Sequence, residues 1–364
     1  MRRVLIFALI LIVAGLLMRE RIFVFFFSPT ESVLEEVGLG GEIEIVTENL
    51  EIPWEMVPLP SGEWLVTERP GRLLKIGKDK TVIPVEGVEH RGEGGLLGLA
   101  LHPDFERNGW IYLYLTSKSG EKLINRVERY RLASDELFDK KIILDNIPGA
   151  SNHDGGRIAF GPDELLYITT GDAGDEASAQ DTRSLAGKIL RLHDDGRVPA
   201  DNPFGNAVYS YGHRNSQGLA WDEAGNLWAT EHGRSGLQSG YDELNLITKG
   251  ANYGWPEIEG DETREGMITP VANSGADETW APGGAVYTNG SIFFAGLRGE
   301  TLYEAKLEGT KVADLVAHLR GNYGRLRSVS VVQNSLYVLT SNRDGRGTPK
   351  LGDDKIIRLL FHDN

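Results

Sequence analysis

The chain of 364 residues carries 53 acidic against 38 basic side chains, a formal net charge of −15, with 40% hydrophobic residues, 45 Gly and no Cys. Nucleic acid and anionic membrane surfaces are excluded as main partners, because both demand an extended basic patch and none of length occurs. The lack of cysteine removes disulfides, thiolate zinc sites, iron–sulfur clusters and covalent c-type haem, and the glycine content predicts many turns.

Met1-Arg-Arg opens the chain, followed by an apolar run from Val4 to Met18, Arg19-Glu-Arg21 and a second apolar patch, Ile22 to Phe27. Residues 1–28 therefore read as a signal sequence or membrane anchor, and 29–40 as a linker. Fifteen apolar residues are short for a span of about 20, but flanking arginines can snorkel, and no small-x-small cleavage site follows, which favours retention. An exported or outward-anchored location follows. Few Met and no Cys fit a thermophilic source.

From about residue 41 the apolar stretches are short, β-branched or aromatic and bounded by Gly, Asp, Asn or Pro, an all-β pattern. Six strand pairs recur. The first strands begin at Glu63, Trp110, Leu165, Asn226, Ser291 and Ser335, and their partners start at Arg72, Val127, Lys188, Glu243, Thr301 and Lys355. Their anchoring aromatics, Trp64, Tyr112, Tyr167, Trp228, Phe293 and Tyr337, lie 44 to 65 residues apart, which suits mostly four-stranded blades. Residues 41–364 are thus predicted to form a six-bladed β-propeller with chemistry at its central channel; a β-sandwich array explains the regular pairing less well.

The densest polar loop is Ser151-Asn152-His153-Asp154-Gly155-Gly156-Arg157. His153 can take a proton near neutral pH or merely cap a turn. Further along, Arg214 offers a five-donor fork and Asn215 a donor and an acceptor, while His213 is assigned to packing. The segment from Glu231 to Asn245, with Gly233 and Arg234, clusters carboxylates and turn carbonyls, either a calcium site or a solvated acidic loop. Arg298, Arg325 and Arg327 follow in loops of later units. Converging on one channel they would make an anion-binding pocket; scattered, they would serve only surface ion pairs. Rossmann, P-loop, zincin and hydrolase-elbow motifs are missing.

The stretches Glu68-Arg-Pro-Gly-Arg72-Leu, Gly94 to Phe105, Asn152-His153 with Gly156-Arg157, Ala186 to Arg191, Tyr211 to Leu219 and Asn252-Tyr-Gly-Trp-Pro256 together resemble the soluble quinoprotein glucose and aldose sugar dehydrogenases. The resemblance runs from about Ile52 to Leu359. It implies a six-bladed propeller that uses pyrroloquinoline quinone (PQQ) and calcium, oxidises the anomeric carbon of aldoses to the lactone, and passes electrons to an external acceptor. It implies His153 as general base; Glu93, Arg214, Asn215, Arg298, Arg325 and Arg327 around the cofactor; an active-site calcium on the carbonyls of Gly233 and Arg234; and a second calcium on Glu243 and the Tyr253 carbonyl. Glu93 stands where the family often has Gln, Arg298 where Lys is frequent, Arg234 where Pro is frequent, and Asn152 where some members carry the Asp that orients the base. A calcium-dependent sugar lactonase and a non-catalytic binding propeller are the alternatives; the loop arginines separate them from the dehydrogenase.

Overall fold

In each of six sheets the two strands recognisable in the sequence prove to be the middle pair. The computed structural model describes Leu34 and residues 41–236 and 239–360; apart from Leu34, the predicted leader and linker lie outside the described residues. Blade 1 is built from β2 (Pro53–Pro58), β3 (Trp64–Glu68), β4 (Arg72–Ile76) and β5 (Lys80–Pro84). Blade 2 has β6 (Leu96–Leu101), β7 (Trp110–Ser119), β8 (Lys122–Ala133) and β9 (Glu136–Pro148); blade 3 has β10 (Ile158–Phe160), β11 (Leu166–Thr170), β12 (Lys188–Leu192) and β13 (Val208–Tyr211). Blade 4 has β14 (Ser216–Trp221), β15 (Leu227–Glu231), β16 (Glu243–Ile247) and β17 (Ala272–Asn273); blade 5 has β18 (Pro282–Thr288), β19 (Ser291–Gly296), β20 (Thr301–Glu308) and β21 (Lys311–His318). Blade 6 takes β22 (Leu326–Val332), β23 (Ser335–Thr340) and β24 (Ile356–Leu360) from the end of the chain and its outer strand, β1 (Ile43–Thr47), from the beginning.

Burial explains why the middle pair is the legible one. Every residue of β3, β11, β15 and β19 is buried, so these strands are near-continuous apolar runs. The outer strands β1, β5 and β9 are mostly exposed and mix apolar with polar residues. The inner strands meet around the axis, β2 touching β6 and β22, and β18 touching β14 and β22. Space there is scarce. A Cβ on Gly98 would lie 2.1 Å from the carbonyl oxygen of Gly156, and one on Gly283 would lie 2.1 Å from that of Arg327, so only glycine lets the backbones approach.

Five of the six inner strands carry a register shift near their start, between Pro53 and Glu55, Leu96 and Leu99, Ser216 and Gly218, Pro282 and Ala285, and Leu326 and Ser328. Bulges of this kind re-aim side chains out of the pleat. Trp54, Leu97, Gln217 and Arg327, the residues inside four of these shifts, all turn toward one central cavity. No helix among the described residues is long and apolar enough to cross a membrane.

The ring closes where β1 pairs antiparallel with β24, Ile43 opposite Leu359 and Ile45 opposite Ile357. Ile357 is fully buried whereas Ile45 is 46% exposed, so the apolar contribution to closure resides in β24. Ile357→Ala is therefore expected to cost about 2–5 kcal/mol in denaturant unfolding and Ile45→Ala less than about 1 kcal/mol. Equal losses would show that the two strands share the load.

Candidate active site

The cavity at the channel mouth has a volume of about 620 Å3 and takes side chains from all six blades. His153 enters it from the loop that leads into β10. Its backbone sits in the left-handed region at φ 57°, a conformation that costs a non-glycine residue and survives only when neighbours fix it. They do so at both ends: its N–H donates to Glu93 Oε2 at 3.0 Å, and its carbonyl accepts from Ala173 N at 3.2 Å.

The imidazole Nδ1 is 2.8 Å from Oδ1 of Asp172, a fully buried residue one position beyond the Gly that follows β11. Asp172 also accepts from Gly174 N at 2.8 Å and, through Oδ2, from Trp255 Nε1 at 2.9 Å. Burial pushes this carboxyl up, but the bond from His153 and those of its other partners outweigh it and hold the group below the usual carboxylate range. A carboxylate so held fixes the ring and leaves Nε2 as its free nitrogen. Asp172 thus does what Asn152 does not, and Asn152 simply lines the cavity. Its signal was present in Thr170-Gly-Asp172-Ala-Gly, an acid at the channel end of a buried strand, but nothing local ties it to His153.

Among the described residues the cavity wall holds seven arginines, 69, 214, 234, 298, 325, 327 and 346, against four carboxylates, Glu93, Asp154, Asp242 and Asp344. Arg325 is paired with Asp344 through Nε and Nη2 at 2.9 and 2.8 Å, and Glu93 with Arg346 at 2.6 Å. Burial, with Arg69 and Arg325 beside it, pushes the Arg327 guanidinium down to about 9 against the pull of Asp344. Burial likewise raises Asp154 to about 7 and Asp242 to about 6. The wall is therefore cationic within a strongly acidic chain. The Nε groups of Arg69, Arg214, Arg298 and Arg327, and Nε2 of His232, are buried with no hydrogen-bond partner. Orphaned donors at this density fit an anionic ligand with several acceptor oxygens.

Eight of the sequence-predicted residues line this cavity together: His153, Glu93, Arg214, Gly233, Arg234, Arg298, Arg325 and Arg327. Asn215 lies behind it, accepting from Gly155 N at 3.0 Å, with its own Nδ2 unpartnered. His213 is buried, bonded to Glu231 at 2.7 Å and to Ser210 at 2.8 Å and stacked on Tyr253, the packing role expected of it. Arg69, His232, Asp242 and Arg346 were not foreseen. Burial, against the attraction of Glu93, pushes His232 down to about 3, so this imidazole is neutral. Asp242 accepts from the backbone of Gly233, Trp280 and Ala281 at 2.8, 2.6 and 2.9 Å, fixing two cavity loops with one carboxylate.

Gly233 and Arg234 border both the cavity and a small void of about 10 Å3, whose wall also includes Glu243, Tyr253, Glu231 and Glu259. That is room for a single ion or water. The described hydrogen bonds leave the carbonyl oxygens of Gly233 and Tyr253 without a donor. Burial, and then the charges of Glu231, Asp242 and Glu259, push Glu243 well above its ordinary value. No cluster of three or more His, Asp and Glu side chains in ligand geometry occurs among the described residues, so carbonyl oxygens must supply much of any metal site here.

Fold and site together define a six-bladed propeller enzyme whose arginine-walled cavity adjoins a carboxylate-paired histidine. The family model described as Glucose / Sorbosone dehydrogenase matches residues 50–358, and the chain belongs to that family of oxidoreductases. It is 31% identical over 343 residues to the aldose sugar dehydrogenase YliI of Escherichia coli, covering 83% of this chain and 91% of that one. It is 34% identical over 274 residues to quinoprotein glucose dehydrogenase B of Acinetobacter calcoaceticus, covering 65% of this chain and 56% of that protein. The PQQ-bound aldose sugar dehydrogenase of Streptomyces coelicolor shares 44% identity at a TM-score of 0.83, over 88% of this chain and 98% of that one.

The raised carboxyl of Asp154 makes a pH prediction with a definite sign. The folded state keeps its proton up to about pH 7 while the unfolded state loses it near pH 4, so stability falls as pH rises through that window. Asp154→Asn, which preserves the acceptor for Asn125 Nδ2 and Ala150 N, should abolish this loss. Its stability relative to the parent, read by denaturant unfolding, should rise by on the order of 4 kcal/mol between pH 4 and pH 8. A pH-independent difference would show that Asp154 is not the group responsible.

Proposed function

We propose that the protein is an aldose sugar dehydrogenase dependent on PQQ and calcium, which oxidises the anomeric carbon to the lactone and delivers electrons to an external acceptor. The observation that carries this reading is the set of orphaned guanidinium donors beside the His153–Asp172 pair in a cavity large enough for a tricarboxylate quinone and one sugar ring. Family membership and the quinoprotein and PQQ-bound relatives support the same cofactor class.

In this reading Arg214, Arg298, Arg325 and Arg327 bind the cofactor's anionic groups. Asn215 anchors the loop of His153 through Gly155 N, while Glu93 holds the His153 backbone rather than the cofactor itself. With Nδ1 occupied by Asp172, His153 Nε2 accepts the proton of the anomeric hydroxyl. The bound quinone supplies the two-electron acceptor for the hydride leaving that carbon. Gly233 and Arg234 carbonyls, with Glu243 and the Tyr253 carbonyl nearby, are the oxygen donors we assign to calcium, a Lewis acid for the quinone oxygens. A lactonase would instead require carboxylates around a metal-bound water on the axis, where arginines outnumber carboxylates seven to four. The basic and apolar leader, which lies outside the described residues, supports a location beyond the cytoplasm, either released or tethered.

Purified protein reconstituted with PQQ and calcium should reduce an artificial dye when an aldose is added, and failure to bind the quinone or reduce the dye would sink the proposal. His153→Ala should bind PQQ with unchanged affinity while turnover falls by about 10² or more. Calcium should raise the melting temperature of the parent but not that of Glu243→Gln, since binding to the folded state alone stabilises it; an equal rise in both would remove Glu243 from the metal site.

A further inference from the structure

Glu93, which holds the His153 backbone, also forms an ion pair in the cavity wall with Arg346, a residue the cofactor reading leaves without a task. Glu93 belongs to the connection between blades 1 and 2, Arg346 to the loop that follows β23 of blade 6, and the pair spans the gap between them at 2.6 Å. The Arg346 side chain is 42% exposed, against 4% and 7% for Arg325 and Arg327 in the same wall, so it is the most open of the three. Its position is built rather than incidental. Asp344 accepts from the backbone N–H of Arg346 at 2.8 Å and of Gly347 at 3.2 Å, while its other oxygen holds Arg325.

The chemistry of the pair suits a neutral polyol. The described hydrogen bonds of the Arg346 guanidinium use Nη1 alone, which leaves most of its planar fork available. Each Glu93 oxygen has taken one donor, Arg346 or the His153 N–H, and a carboxylate oxygen can accept a second. A cation and an anion side by side add no net charge, so the pair does not compete for the anionic cofactor. It offers two donors and an acceptor, the complement of adjacent sugar hydroxyls. Glu93 also touches the backbone of His153, which sets the pair next to the anomeric centre, where the nearest neighbouring hydroxyl is the one on C2.

We propose that Arg346, paired with Glu93, is a substrate-binding residue that recognises the C2 hydroxyl of a neutral aldose; this rests on the dehydrogenase reading. Reconstituted parent, Arg346→Ala and Arg346→Lys enzymes are compared for kcat/KM on D-glucose and 2-deoxy-D-glucose with an artificial acceptor, and their apoproteins are titrated with PQQ by absorbance. The parent should prefer glucose by about tenfold or more, as for one lost hydrogen bond to a charged group. Arg346→Ala should raise KM for glucose by about tenfold, bring the two sugars to near parity and leave PQQ affinity unchanged. Arg346→Lys, which restores the charge beside Glu93 but not the fork, should remain impaired.

A parent that oxidises glucose but shows no preference over the deoxy sugar overturns the inference, as does an unchanged preference in Arg346→Ala, full recovery in Arg346→Lys, or weakened PQQ binding. A parent that binds no quinone and oxidises no aldose removes the dehydrogenase reading itself, and the inference with it.

Discussion

A β-strand alternates its side chains, so a regular strand beside a channel presents only every second residue to it, at a fixed height. The inner strands of this propeller escape that limit through the shifts at their channel ends. There Trp54, Leu97, Gln217 and Arg327 leave the pleat and enter the cavity. The rest of the wall comes from loops, among them those that carry Arg69, His153, Gly233, Arg298 and Arg346.

Concentrating cations in such a wall is costly, and the structure spreads the cost. Arg325 is matched by Asp344, Arg346 by Glu93, and Arg157, below the cavity, by Glu55, with its guanidinium 4.4 Å from the Trp54 ring. What is left unmatched in the wall are the buried Nε groups of Arg69, Arg214, Arg298 and Arg327. Partial compensation of this sort leaves a site with strong but directed demand for acceptor oxygens, since a buried donor without a partner is penalised until one arrives.

The histidine pair is tied to the cation wall across blades. Trp255, carried by the loop after β16 in blade 4, donates to Asp172 of blade 3 and lies with its ring centre 5.2 Å from the Arg214 guanidinium. Gln180 bonds the Trp255 carbonyl at 2.6 Å, and Lys188, fully buried, binds the carbonyls of Ser178 and Ala179 at 2.8 and 2.9 Å, securing the short 3-10 turn that bears Gln180. The orientation of His153 thus depends on contacts made by two blades and one buried lysine.

The sequence by itself determined the number of blades, because the first of the two middle strands in each is buried over most of its length and is largely apolar wherever it occurs. It also marked His153, Arg214, Arg298, Arg325 and Arg327 as a set, since polar residues crowded among glycines in channel-side loops have no packing reason to be there. Asp172, Arg69, His232 and Arg346 escaped notice because each is a single residue in an ordinary turn, tens to hundreds of positions from its partner. Asp172 meets His153 across 19 residues and Trp255 across 83, and Arg346 meets Glu93 across 253. The β10–β11 hairpin brings Asp172 to His153, packing of blade 4 on blade 3 brings Trp255 to Asp172, and closure of the ring brings Arg346 to Glu93, so which acid holds the histidine and which cation sits at the rim were decided by the tertiary structure.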